Sequence, residues 1–558
     1  MAGALLGFPV RGLPEWAGSG ARQLRPMGVT PMRTDRLQSN RRRFFWPAAG
    51  AIVAAVLIFT VATGRAGAQA SGPTMTVPNL AVRSAVGGLV TPIGLAFLSD
   101  SQWLVIEKDT GQVQVVENGA VTGTALDLAV NKFSERGLLG IALHPDFEDN
   151  NFVYLFWSCV APPPAPENEF FPTANECSLT PELGADSGEV LAVPLLGNRV
   201  DRFLWDGETD TLSFDSNLIM LRSFQNDAST SPLGPNDEVQ PARGNHDGGV
   251  IRFGPDGKLY IILGDVGRRG QLQNLPSGPT LTGLGDIVPD DQFGGPRPDD
   301  AHFTGVIIRL NDDGTTPTDN PFFAAGAAMG DDVGANVQKI FAYGVRNSFG
   351  MAFDPLSGNL WDQENGEDAF DELNLVEPGM NSGWIQITGP ASRVAQFKEI
   401  ETTSLHHEDF PNLQQFRWGP ERIADTPAEA LSRLFVLPGS HYNDPEYSWV
   451  HVLAPAAIGF LDSTALGPQW FGDLFVGFSV NDDALGGGLM AFELTGNRRR
   501  IAGDLVADNA TFHDPRANKT QIVGTNFGIV TDIQTAPNGN LLAVSLDTGN
   551  VYEIFRTK

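Results

Sequence analysis

Four short stretches carry side chains able to do chemistry. In "GNHDGG", Gly244 to Gly249, His246 stands among glycines directly before "VIRFGPDGKLYIILGDVG", which reads as two strands and a turn. A histidine at a strand entrance is either a general base, since its ordinary pKa is near neutral, or a solvated loop residue. "QENGEDAFDELN", Gln363 to Asn374, gathers Glu364, Glu367, Asp368, Asp371 and Glu372 around Asn365 and Gly366. Oxygen ligands this dense, beside a glycine that frees backbone carbonyls, fit calcium, although the spacing is not that of an EF-hand. The other reading is an acidic surface loop. "GVRN" places Arg346 and Asn347 just before a strand, where the guanidinium orients an anion or a polarised oxygen, or pairs with the nearby carboxylates. In "ERGLLGIALHPDF", Glu135 and Arg136 precede an apolar run, as part of a site or as a local ion pair.

These residues need a frame. One unit recurs: an apolar strand, a Pro/Asp/Gly/Asn turn, a second apolar strand. It appears as "IGLAFLSDSQWLVIEK", "GIALHPDFEDNNFVYLFW", "VIRFGPDGKLYIILGD", "GMAFDPLSGNLWDQEN" and "DIQTAPNGNLLAVSLD", with a degenerate copy in "IGFLDSTALGPQWFGDLFVGF". Helical periodicity is nearly absent, the best short case being "PAEALSRLFVL" near 427–437. Repeated strand pairs without helices predict an all-β fold, a six-bladed β-propeller spanning 71–558, rather than an irregular sandwich or two β domains. The long inserts at 160–190, 270–302 and 387–446 are expected as loops on one propeller face, where sites are built.

With 63 Gly and 39 Pro, the chain is rich in turns. Its net charge is −29; removing the 9 basic and 2 acidic residues of 1–70 leaves 28 basic and 64 acidic residues, a net charge of −36. So acidic a body repels nucleic acid and anionic membranes. Residues 1–70 read as an export extension. "NRRRFFW" is similar to a twin-arginine motif, "PAAGAIVAAVLIFTVAT" is a signal-length apolar segment, and "AQA", Ala68 to Ala70, offers a cleavage pattern. The alternative is an uncleaved N-terminal membrane anchor; either way the expected location is periplasmic or extracellular. The two cysteines, Cys159 and Cys177, bracket one Pro-rich insert, and in an oxidising compartment they are expected to form a disulfide.

Taken together, over roughly 85–556, these motifs resemble the glucose/sorbosone dehydrogenase family, which includes soluble PQQ-dependent aldose sugar dehydrogenases. The resemblance implies a six-bladed propeller in which His246 is the catalytic base. It implies that Arg346 and Asn347 lie at the cofactor and substrate. Asn365, Gly366 and Glu367 fall on the stretch whose backbone carbonyls hold the calcium that grips the quinone. Glu372 falls on a ligand of a further structural calcium, and Ser382 at a position giving a backbone carbonyl; Asp371 is grouped with the metal residues. Glu135 stands where a glutamine lies near the reacting sugar, and Asn245 and Asp247 are assigned to the substrate side. The implied reaction is His-assisted hydride transfer from a sugar or related alcohol to the quinone, which then passes electrons to an external acceptor.

The sequence departs from this pattern at the cofactor pocket. The family's lysine position falls on Asn481 or Asp482, followed by Asp483, and "GTNFGIVTDIQTAPNG" holds no arginine where a close pair is expected. Each missing cation removes a charge-assisted hydrogen bond of about 1.5–3 kcal/mol. Arg268, Arg269 and Arg393, from the inserts, are the candidate replacements. Two other readings stand beside the dehydrogenase: a calcium-bearing propeller that binds carbohydrate or a protein partner without redox chemistry, and a calcium-dependent lactonase-type hydrolase.

Overall fold

In the computed structural model the described residues are 72–132, 135–159, 198–221, 246–265, 303–366, 369–384, 386–402, 424–479, 486–508 and 521–557. Within them every recurrent sequence unit is an antiparallel hairpin, and each hairpin opens a sheet. The sheets are built on Pro92–Phe97 with Gln102–Glu107, Leu138–Leu143 with Phe152–Ser158, and Ile251–Phe253 with Leu259–Leu263. The others start at Gly350–Phe353 with Leu360–Glu364, Pro455–Phe460 with Leu474–Phe478, and Val530–Thr535 with Leu541–Ser545. The sharp reversals use the expected residues. Gly257, Gly358 and Gly539 all adopt positive φ, which glycine reaches without a Cβ penalty.

Each hairpin grows into an antiparallel meander of four strands, and some sheets take on extra short strands at the edge. The opening strand of each sheet lies against the opening strand of the next, from Pro92–Phe97 around to Val530–Thr535 and back. That cyclic order is a β-propeller. The ring is closed by the two ends of the described chain: Leu80–Gly87 pairs with Asn550–Arg556, running from Leu80 opposite Arg556 to Gly87 opposite Asn550. Large aromatics fill the space between sheets, with Trp157, Trp361, Trp449, Tyr154 and Phe203 fully buried. At about 1.5–3 kcal/mol for each large apolar side chain buried, this packing makes the frame rigid enough to hold a site.

Helices are few. Thr426 caps Pro427–Arg433 through the Glu429 N–H at 3.2 Å, with proline at the first turn, as "PAEALSRLFVL" led one to expect. Phe323–Met329, Asp331–Val337 and Val394–Thr402 lack the periodicity that would have announced them. The 387–446 insert is therefore partly helical rather than a plain loop. The 160–190 and 270–302 inserts lie outside the described residues, as do the N-terminal segment through 71 and Cys177. Cys159 is buried at the end of its strand. Thr63–Lys558 forms one compact unit. No helix among the described residues is long and apolar enough to cross a membrane.

Candidate active site

Three chain segments converge at Gly264, which follows the strand Leu259–Leu263. A Cβ on Gly264 would stand 2.5 Å from the His246 carbonyl oxygen and 2.6 Å from that of Arg346, so only glycine lets the segments meet. His246 has φ +65°, a left-handed conformation costing a β-carbon residue roughly 1–2 kcal/mol. Gly248 and Gly249 follow it, also at positive φ; a Cβ on Gly249 would lie 2.5 Å from that of Leu139. The glycines of "GNHDGG" thus allow a strained turn to press against the neighbouring sheet.

Hydrogen bonds fix the histidine. Its backbone N–H donates to Glu135 Oε2. Its Nδ1 bonds Asp265 Oδ1 at 2.5 Å, and the second oxygen of Asp265 accepts the Trp384 indole N–H at 2.8 Å. With Nδ1–H donating to the carboxylate, Nε2 carries the lone pair, the tautomer a base requires. Burial pushes the Asp265 carboxyl up, but His246, Arg346 and the indole N–H outweigh it and hold the carboxyl below its ordinary range.

Arg346 lies next to this pair. Its backbone carbonyl accepts from Asp265 N–H at 2.8 Å, its own N–H donates to Glu364 Oε2 at 2.8 Å, and its Nη1 donates to the Asn365 carbonyl at 2.7 Å. The guanidinium carbon sits 5.3 Å from the Trp384 ring centroid. Asn347 donates to Glu135 Oε2 at 3.4 Å, while its buried Oδ1 meets no donor among the described residues. Glu135, His246, Arg346 and Asn347, which lie in three separate motifs, therefore form one corner.

Asp247 lies behind that corner. It is fully buried, its carboxylate accepts from Asn198 Nδ2 at 2.8 Å, and burial raises it to about 7 against the pull of Arg136. Asn245 and Glu367 lie outside the described residues.

Below Arg346 a small cavity is lined by Glu364, Asn365, Gly366, Glu372, Ser382 and Thr388, with Trp384 closing one side. Glu364 and Glu372 face each other across paired strands, and Asp362 stands opposite Asn374 in the same register. Like charges directly opposite are unfavourable, more so when buried. Burial raises Glu364 to about 7. Burial first, and then the Glu364 charge, drives Asp362 and Glu372 well above the carboxylate range. Ser382 Oγ donates to Glu364 at 2.7 Å and the Gly389 N–H to Glu372 at 2.5 Å, but Asp362 Oδ1 and Thr388 Oγ1 are buried without a hydrogen-bond partner among the described residues. Such a donor set fits a hard cation. Among the described residues no three His, Cys, Asp or Glu side chains converge as a cage, so neutral oxygens must complete any such shell.

Asp371 is placed differently from its neighbours in sequence. It accepts from the backbone N–H groups of Gly366 at 2.8 Å, Leu453 at 2.5 Å and Ala454 at 2.9 Å, which makes it a pin for the loop. Arg393 pairs with Asp508 at 3.1 Å on its insert and does not reach the corner. Arg268, Arg269, Asn481, Asp482 and Asp483 lie outside the described residues. Sequence reasoning missed Asp265 and Trp384. Their signal was faint: an aspartate ending the strand run "LYIILGD", and a tryptophan after "MNSG".

Comparison with known proteins agrees with the motif reading. The family model described as Glucose / Sorbosone dehydrogenase matches residues 89–169 and 236–412. Quinoprotein glucose dehydrogenase B of Acinetobacter calcoaceticus is 27% identical over 317 residues, 54% of this chain and 52% of its own length, so the match spans about half of that protein. Aldose sugar dehydrogenase YliI of Escherichia coli is 22% identical over 456 residues, 81% of this chain and 86% of its own. The solved apo-form of the soluble aldose sugar dehydrogenase of Escherichia coli superposes with a TM-score of 0.52 at 21% identity, covering 86% of this chain and 100% of that one, which bears on the fold alone.

Proposed function

We propose, from this likeness to the glucose/sorbosone dehydrogenases, that the chain is an exported PQQ- and calcium-dependent dehydrogenase that oxidises an aldose or a related alcohol. The observation that carries the reading is the Asp265–His246 pair, set beside Arg346 and directly above a carboxylate-lined cavity. Six blades suit the ring of sheets, and residues 1–70 serve as the export segment, which leaves 71–558 as the working domain. Cys159 pairs with Cys177 in that compartment.

His246 accepts the proton of the substrate hydroxyl at Nε2, and Asp265 stabilises the imidazolium that forms. Glu135, anchored by the His246 N–H, holds a neighbouring hydroxyl, with Asn347 Oδ1 as a further acceptor. Asn245 and Asp247 shape the substrate side, Asp247 from behind. Arg346, Asn347 and Asn365 would hold the cofactor. Glu372, Ser382, Gly366 and Glu367, with Glu364, would hold calcium, while Asp371 orders the loop that presents them. When bound, PQQ supplies a two-electron acceptor and calcium a Lewis acid for its oxygens. The fit to calcium is the better of the two. For the PQQ carboxylates, 524–532 offers no cation, so weak cofactor affinity is expected.

The test is reconstitution with PQQ and calcium, then dye reduction with a panel of aldoses. Calcium- and PQQ-dependent turnover supports the reading, and no heat of PQQ binding in calorimetry overturns it. Sugar binding without turnover would favour a carbohydrate-binding propeller, and lactone hydrolysis lost on chelation a hydrolase. An electron acceptor outside the protein would be the second partner.

A further inference from the structure

We propose that Trp384 is a positioning residue for His246, acting through Asp265. The backbone holds Trp384 in place on one side: Ser382 N–H donates to the Tyr343 carbonyl at 2.8 Å, Gly383 N–H to Asn381 Oδ1 at 3.0 Å, and Trp384 N–H to the Gly344 carbonyl at 3.1 Å. Gly383 takes φ +101°, where a Cβ would stand 2.9 Å from the Tyr442 ring, so the turn that aims the tryptophan requires glycine. The ring is 2% exposed and its face carries the Arg346 guanidinium. Its edge then delivers one N–H to Asp265 Oδ2, while Oδ1 serves His246.

A carboxylate on a single hydrogen bond can rotate about its Cβ–Cγ axis. Bonded at both oxygens to rigid partners, it is locked in plane, and the imidazole it holds is locked with it. Asp265 is itself 1% exposed, so water cannot take over the place of the indole. Trp384 also walls the cavity proposed for calcium, which places the indole between the two halves of the site. The kinetic part of this inference rests on His246 being the base; its structural part does not.

The test uses the full chain and two substitutions. Trp384→Phe keeps an aromatic face under Arg346 and removes the N–H together with part of the buried ring. Asp265→Asn breaks the same relay one step further on. In wild type, proton NMR with nitrogen labelling should show a far-downfield His246 Nδ1–H and a downfield, exchange-protected Trp384 indole proton. Trp384→Phe should weaken the first signal and lower kcat on the order of 10- to 100-fold, the worth of one charge-assisted hydrogen bond, with KM little changed. The double variant should be no slower than Asp265→Asn alone, because both act along one path. Additive losses, or an unchanged Nδ1–H signal in Trp384→Phe, overturn the proposal. If Trp384→Phe does not fold, the indole proton decides. It should move upfield in Asp265→Asn, and an unmoved resonance refutes the relay. If the protein proves to have no dehydrogenase activity, the NMR results still decide the positioning role by themselves.

Discussion

The corner around His246 and the cavity beneath Arg346 share residues, yet they handle charge in opposite ways. In the corner each ionised group faces a partner: Asp265 meets His246 and an indole N–H, and Glu135 meets two N–H donors. In the cavity Glu364 and Glu372 confront each other, with Asp362 close by, and burial lifts all three. The first arrangement is finished by the protein alone and needs no reorganisation to act. The second is electrostatically incomplete, and a divalent cation is the simplest remedy. The proposed catalytic geometry and the proposed cation binding are thus separable on one frame.

The sharpest way to break the comparison is at the corner. His246→Ala should cost about 10²–10⁴ in kcat, the usual worth of a general base, while the chain still folds. Retained turnover would show the base has been misassigned. The next largest effect belongs to the cavity. Without cation, folded Glu364 keeps its proton to about pH 7, whereas the unfolded chain releases it near 4.5. The unfolded state then binds fewer protons in that window, so stability falls as pH rises from about 4.5 to 7. The loss is on the order of 3 kcal/mol as an upper figure, and calcium should restore it at pH 7.5 far more than at pH 5. Urea melts in EDTA and in calcium at both pH values measure this. A calcium effect independent of pH would remove these carboxylates from the site.

The two regions also differed in how legible they were. The hairpins were readable because turn residues and apolar runs are local signals, and the cyclic frame followed from their repetition. The corner was readable in part: "GNHDGG" and "GVRN" announce themselves by composition. Asp265 and Trp384 do not, since their roles come from meeting His246 and Arg346 across the fold, which no local pattern encodes. In the acidic stretch the sequence could not tell ligand from pin. Asp371 and Glu372 are adjacent, but strand alternation turns them to opposite faces: one takes three backbone N–H groups, the other lines the cavity. Replacing the pin tests that distinction. Asp371→Asn should destabilise the fold by about 2–3 kcal/mol with or without calcium, because it sets an amide against backbone donors. A loss seen only with calcium present would make Asp371 a ligand after all.

The smallest expected effect separates the two regions most finely. Asp362 is fully buried, is not part of the cavity lining, and its Oδ1 has no hydrogen-bond partner among the described residues. Its charge therefore contributes repulsion toward Glu364 without holding a ligand directly. Asp362→Asn keeps the shape and removes the charge. In EDTA at pH 8, above the value of about 7 to which burial lifts Glu364, the variant should be more stable by about 1 kcal/mol, since removing a carboxyl that faces an uncompensated buried charge is stabilising. In saturating calcium the gain should shrink toward zero or reverse, because the cation then offsets the carboxylate charge and benefits from it. At the corner the analogous Asp265→Asn substitution should show no such calcium-dependent change of sign, because His246 and Trp384 already compensate that charge. A destabilised Asp362→Asn in EDTA at pH 8 would mean that Asp362 and the two cavity glutamates are already satisfied by the protein, and the contrast between the two regions would fall.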